Sequence, residues 1–239
     1  MSIPPPPTDL AATHFPTTVA EAAAEQQRLR GLVVLRPPAG FAPRLVAGCD
    51  VSMGRDDVEC VAGIVVLALP GLETVAEATA VAPVPMPYVP GFLSFRELPA
   101  VLGAWASLVA AHDVRPDVLL FDGQGYAHPR RFGIACHAGV LLGLPTIGCA
   151  KSILVGRHEA LEPERGARAP LVHRGETVGA AVRLRARVQP MIVSPGHLMD
   201  VDTAVRVVES VAAGLREPET TRRAHRLVNA VRRGERPVG

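Results

Sequence analysis

No stretch of ~18 uninterrupted apolar residues occurs in this sequence, which excludes a transmembrane helix. The N-terminus, MSIPPPPTDL, lacks the basic opening and apolar run of a secretory signal. The four cysteines, Cys49, Cys60, Cys136 and Cys149, lie far apart, form no C-x-x-C pair and sit among Val, Ala, Ile or Gly. That pattern excludes a disulfide framework and a zinc site with paired ligands, leaving small buried hydrophobes of a reducing compartment. Internal repeats and dividing linkers are also absent. What is present, 239 residues of which 48% are hydrophobic, excludes general disorder and suits one domain with one sizeable core. The expectation is a soluble cytoplasmic protein, monomeric and unattached to membranes.

Lysine is nearly missing. Of 25 basic residues 24 are Arg, and the single lysine is Lys151. A compact ammonium surviving where every other cation is a planar guanidinium marks either a position that needs end-on approach or a chance remnant. Net charge is +2, unevenly placed: residues 216–239 carry seven Arg and three Glu, hence +4, against −2 elsewhere. Such a tail suits phosphate neutralisation or a solvated helix face.

Prolines 4–7 predict an extended leader over residues 1–16, followed by a domain over 17–233 and a tail over 234–239. A helix is expected from Thr17 or Thr18. Val-rich runs at 44–53, 58–69 and 74–84 predict an antiparallel meander. Helices are expected over 97–112, 129–144 (opened by Pro129), 200–215 and 219–233. Buried strands are expected at 117–122 and 145–149, with two or three more within 170–193. Strands first, then strand–helix–strand crossovers, predict an α/β domain with one mixed sheet and helices on its faces.

Two carboxylates fall in strands that are otherwise apolar: Asp50 follows RLVAGC and Asp122 ends VLLF. An unpaired buried carboxylate costs several kcal/mol, so each needs a partner. If the strands are neighbours, both acids face one space suited to Mg²⁺ or Mn²⁺; alternatively each caps a turn. After Asp122, the segment GQGYAHPRRFG brings Gly123, Gly125, His128, Arg130 and Arg131 within ten residues, a setting for an anion. In MPYVPGFLSFRELP, Pro87 and Pro90 stiffen a loop around Tyr88, which suits a wedge in a base stack or a packed surface ring. Glu97 is a third acid able to reach a metal or a water.

PYVPGFLSFRE, DGQGYAHPRRFGIACHAGVLLGLPTIGCAKS and SPGH resemble the motifs of the endonuclease V family, in order and spacing, from about residue 20 to about residue 230. The resemblance implies a ribonuclease-H-like fold and a Mg²⁺-dependent DNA repair nuclease, with Mn²⁺ able to substitute. Such an enzyme recognises deoxyinosine and cuts the second phosphodiester bond on its 3′ side, leaving 3′-hydroxyl and 5′-phosphate ends. It implies Asp50, Asp122, Glu97 and His225 as metal ligands, Lys151 as the active-site lysine, His128 beside the scissile region and Tyr88 as the wedge. Gly91, Leu93, Gly123 and Gly148 would line the base pocket, with Arg96 and Arg130 on the nucleic acid. His197 matches the family without an assigned role. Two alternatives stand beside this one: an inosine-specific ribonuclease, and a nucleic-acid-binding module without activity.

Overall fold

The three Val-rich runs form the expected meander, β1 (Leu45–Met53), β2 (Glu59–Ala68) and β3 (Glu73–Pro83), in a computed structural model that describes Thr13 and residues 15–239. The proline run at 4–7 lies outside the described residues. Before the meander comes α1 (Val19–Arg30), opened by Thr18 in a capping box with Glu21. After it come α2 (Leu93–His112), β4 (Val118–Phe121), α3 (Ile134–Leu142) and β5 (Thr146–Ala150). The chain ends with β6 (Arg168–His173), β7 (Glu176–Val182), β8 (Met191–Pro195), α4 (Val201–Ser210) and α5 (Glu219–Arg232).

All eight strands join one mixed sheet in the order β3-β2-β1-β4-β5-β8-β7-β6, with β1, β4 and β5 parallel at its centre. Alternation along the central strands sends side chains to two cores. Cys49, Leu119 and Phe121 pack under α2 and α3, whereas Val46, Leu120 and Cys149 pack under α4. Each fully buried aliphatic chain stabilises this sandwich by roughly 1.5–3 kcal/mol. α5 crosses β1 and β2 on the α4 face, where Leu227 and Val228 meet Val65 and Val61. The approach is close enough that a Cβ on Gly48 would stand 2.2 Å from the Thr220 backbone, so only glycine admits the helix there. The last residues lie along edge strand β3: Thr79 N donates to Gly239 O (2.6 Å), and Arg236 pairs with Glu77 (2.6 Å). This covers an edge that would otherwise offer unpaired backbone. Among the described residues no helix is long and apolar enough to cross a membrane.

Three helix boundaries differ from expectation. α2 begins at Leu93, four residues early, and keeps Pro99 inside it, so Glu97 stands in the second turn. α3 begins at Ile134 rather than Pro129, because His128–Arg131 closes a turn (Arg131 N to His128 O, 2.9 Å) and Arg131 has φ +59°. That left-handed residue cannot continue a helix. α4 stops at Ser210, short of Leu215.

Candidate active site

Because β1 and β4 are parallel neighbours with Cys49 opposite Phe121, the next residues, Asp50 and Asp122, emerge side by side; Asp122 N donates to Cys49 O at 3.4 Å. Cys49 and Phe121 point into the α2/α3 core, so alternation turns both acids to the α5 face. On β5, Cys149 faces that same side, and so does Lys151 two residues later. The Lys151 ammonium stands 2.6 Å from Asp122 Oδ2 and 3.3 Å from Glu217 Oε2. Burial would lower its pKa, but the hydrogen bond and charge of Asp122, with Glu217 behind them, outweigh that and hold it above the ordinary lysine value.

From α5, His225 Nδ1 lies 2.8 Å from Asp50 Oδ2, and Asn229 Nδ2 lies 3.0 Å from His225 Nε2. An amide N–H can only donate, so Nε2 accepts and the proton on Nδ1 is donated to Asp50. Glu97 comes from α2 on the opposite face. Burial first, then the charges of Asp50 and Asp122, push its carboxyl up to about 8. Burial and Asp122 also raise Asp50, against the lowering hydrogen bond from His225. Asp50, Asp122, Glu97, Lys151 and His225 therefore share one end of the sheet.

Among the described residues no three His, Cys, Asp or Glu side chains are gathered closely enough to ring an ion. Asp122 and Asp50 instead turn one oxygen each to Lys151 and His225. The donor set nevertheless fits a hard divalent cation. It is carboxylate oxygen, and the raising of Glu97 by Asp50 and Asp122, and of Asp50 by Asp122, is the mark of a cluster short of positive charge.

A second assembly stands beside this one. The Gly91 carbonyl (Gly91 at φ +84°) accepts from Gln26 Nε2 (2.9 Å), Arg130 Nη2 (2.7 Å) and the His128 ring. The Arg130 guanidinium also stacks on Phe92 at 4.0 Å and bonds Gln26 Oε1. This clasp holds the loop that carries Tyr88, 62% exposed, and Leu93, also exposed. Gly148 lies under the 123–125 loop, where a Cβ would meet Gly125 N at 2.4 Å and Gly123 O at 2.6 Å. Gln124 ties that loop to the segment after Lys151 through Ser152 O (2.9 Å), and its Oε1 is buried without a hydrogen-bond partner.

Two of the expected site residues are buried rather than on the surface. Arg96 is turned inward: it is 2% exposed, bonded to Met86 O (3.1 Å) and Asp57 (2.5 Å), and supports the Tyr88 loop from within. His128 is enclosed as well. It is 4% exposed, with Nδ1 accepting from Arg130 N (3.2 Å) and the ring bonded to Gly91. Burial and the Arg130 charge lower it to about 4, so near neutrality it is an uncharged positioning residue. Arg130, with Nε and Nη2 both committed, acts first on the loop's position. His197, 2% exposed, accepts from Val34 N at 3.3 Å and donates its own N–H to Thr146 Oγ1 at 2.9 Å, tying the segment after α1 to β5. Sequence reading missed Gln26, Gln124, Glu217 and Asn229. Only Asn229 left a signal, its i+4 spacing from His225 on a helix.

A mixed sheet with two central parallel strands, each delivering a carboxylate to one end beside a helix-borne third, defines a ribonuclease-H-like nuclease architecture. The endonuclease V pattern matches residues 27–226. An endonuclease V of Myxococcus xanthus is 55% identical over 223 residues, covering 93% of each chain. The crystal structure of endonuclease V from Streptomyces avermitilis superposes with a TM-score of 0.86 at 44% identity, covering 92% of this chain and 96% of that one. A Ciona intestinalis endonuclease V, solved with a 23mer DNA containing an inosine followed by a ribo-adenosine, gives 0.79 at 27% identity, covering 91% and 98%. The chain belongs to the endonuclease V family.

Proposed function

We propose that this protein is a DNA repair endonuclease of the cytoplasm that recognises deoxyinosine and hydrolyses the second phosphodiester bond on its 3′ side, leaving 3′-hydroxyl and 5′-phosphate ends. The observation that carries this reading is the set Asp50, Asp122 and Glu97 with Lys151 against Asp122. Asp50, Asp122 and Glu97 would hold Mg²⁺, with His225 beside Asp50, and the bound ion would supply Lewis-acid activation of water and charge neutralisation. Manganese would serve the same oxygen donors. Lys151 has three N–H donors; Asp122 and Glu217 take two, and the third is left for a phosphate oxygen as charge builds there. Acids in this position argue against a module that only binds, since contact with phosphate alone favours Arg and Lys.

Recognition rests on the clasp. Tyr88 on its stiff loop suits insertion into a stack opened by extrusion of the base, and Gly91, Leu93, Gly123 and Gly148 would line the space beside it. The unpaired Oε1 of Gln124 offers an acceptor for the lactam N–H of hypoxanthine. The ribonucleotide in the DNA bound by the Ciona relative favours a second reading, in which inosine-containing RNA is also cut. Cleavage mapping on matched inosine-containing DNA and RNA oligonucleotides, with and without Mg²⁺, tests both. Mg²⁺-dependent scission one nucleotide beyond the inosine's 3′ neighbour-bond is expected on DNA, and no scission of either substrate sinks the nuclease reading.

Lys151→Arg keeps charge but replaces an end-on ammonium by a forked plane. It is expected to bind inosine-containing DNA almost normally without metal and to turn over at least ~10-fold more slowly, since ~1 Å of misplacement can cost ~10²-fold. Single-turnover cleavage alongside a binding titration reads this, and an Arg variant cutting at the parent rate returns Lys151 to a remnant.

A further inference from the structure

Next to Arg131, the chain neighbour of the clasp's Arg130, lies an open basic cavity of about 380 Å³ that the reading above leaves unused. Gly156, Arg157, Val172, His173, Arg174 and Gly175 line it. Two segments meet there. Arg157 and Val172 exchange backbone hydrogen bonds, both 2.9 Å, and the β6–β7 hairpin turns at Arg174 (φ +56°) and Gly175 (φ +79°), the primed geometry of a tight two-residue turn. Arg157 and Arg174 are exposed, and neither has an acidic partner within ion-pair distance among the described residues. The hairpin's own acid, Glu176, is taken by Arg131 (2.8 Å) and the Tyr126 hydroxyl (2.8 Å). His173 Nδ1 faces Arg131 Nη1 at 2.8 Å; a guanidinium cannot accept, so that nitrogen does, and the ring's Nε2–H is left to donate. The cavity thus offers two unpaired guanidiniums and a neutral N–H donor, a set matched to phosphate oxygens.

Its position says whose phosphate. Arg131, which holds His173 and Glu176, adjoins Arg130, which holds Gly91, so the hairpin is braced on the same substructure as the base pocket. Arg157 follows Lys151 by six residues, which places their Cα atoms within about 20 Å, roughly six base pairs of duplex. We propose that the Arg157–Arg174 cavity binds backbone phosphates of the substrate nucleic acid flanking the inosine, a contact that carries no sequence information and lengthens the footprint. The proposal rests on the nuclease reading above.

The test uses the full chain and the double variant Arg157→Ser/Arg174→Ser, with both substitutions on exposed positions. Binding is titrated without divalent metal on two inosine-containing duplexes, one reaching about three base pairs from the lesion and one about twelve, well past the roughly six that bound the separation of the sites. The variant is expected to bind the long duplex at least ~5-fold more weakly, with its log–log salt slope reduced by about one to two, and to bind and cut the short duplex as the parent does. Parent-like affinity and slope on the long duplex, from a parent that itself cuts, overturn the phosphate contact and leave the nuclease reading standing. A parent that neither binds nor cuts either duplex overturns the nuclease reading and the contact with it. Inorganic phosphate alone, followed by thermal shift, is expected to act equally on parent and variant; stabilisation of the parent only, with unchanged duplex binding, assigns the cavity to a free anion and overturns the proposal.

Discussion

Asp122→Asn is expected to lower cleavage of inosine-containing DNA at least ~10³-fold with the fold intact, the scale of loss when a site loses the charge that organises a developing oxyanion and its metal. The substitution keeps the shape of the side chain and its place beside Asp50 but removes the charge that Lys151 meets at 2.6 Å. That bridge is partly exposed, with side chains 39% and 21% accessible, so its loss should cost stability no more than about 1 kcal/mol. Asp50→Ala should abolish cleavage equally while leaving the His225 Nδ1–H without its acceptor. A readout independent of turnover accompanies both: Mg²⁺ should raise the Tm of the parent and fail to raise that of either variant, because only a site that binds the ion gains from it. An Asn or Ala variant that cuts near the parent rate removes these acids from the metal.

Glu97→Gln should separate activity from stability. Its carboxyl is pushed up to about 8 by burial and by Asp50 and Asp122, from an ordinary value of 4.5. The sign follows from protons bound. Below about 4.5 Glu97 is neutral in folded and unfolded chains and has no effect. As pH rises from there to about 8 the unfolded chain ionises while the folded one resists, so stability is lost across that window and no further above it. Gln cannot ionise and escapes the loss. Allowing for partial solvent contact, the metal-free variant should exceed the parent by about 1–2 kcal/mol at pH 8, roughly 2–8 °C in Tm for a chain of this size. The gap should shrink toward pH 5. His128 and His197, both lowered to about 4, act in the opposite direction, losing stability as pH falls through 6.5 toward 4, but they do so in both proteins and cancel in the difference. Cleavage by the variant should fall at least ~10²-fold. A gap that is absent at pH 8, or that shrinks as pH rises, shows that Glu97 is not held in an excess of negative charge.

The opposition between these effects has a general cause. A cluster of acids buried together without a cation is destabilising, and the rest of the fold must outweigh it. Here the outer supports are visible: Lys151 against Asp122 and Glu217, His225 against Asp50, and α5 pressed on the glycine at position 48.

The strands, their sequence order and the acids within β1 and after β4 were legible in the amino-acid sequence, because each depends on short-range pattern: apolar runs for buried strands, and carboxylates where burial would otherwise forbid them. The single lysine among arginines was legible too, as was a stiff loop around Tyr88. Tertiary structure alone decided what these residues meet. Neighbouring parallel strands put Asp50 beside Asp122, pleat alternation turned Lys151 to the same face, and the packing of α5 on that face brought His225 to Asp50. His128 suggested a ligand because it stands in a charged loop motif, and Arg96 because the family resemblance implied one; folding buried both, and hydrogen bonds to Met86 and Gly91 took up their polarity. α3 starts after the HPRR turn since Arg131 adopts a left-handed conformation while its guanidinium reaches Glu176 and His173, contacts more than 40 residues away that no local pattern encodes. Gln26 and Glu217 were unreadable for the same reason. Their partners, the Gly91 carbonyl and the Lys151 ammonium, are distant in sequence and adjacent only once the sheet has formed.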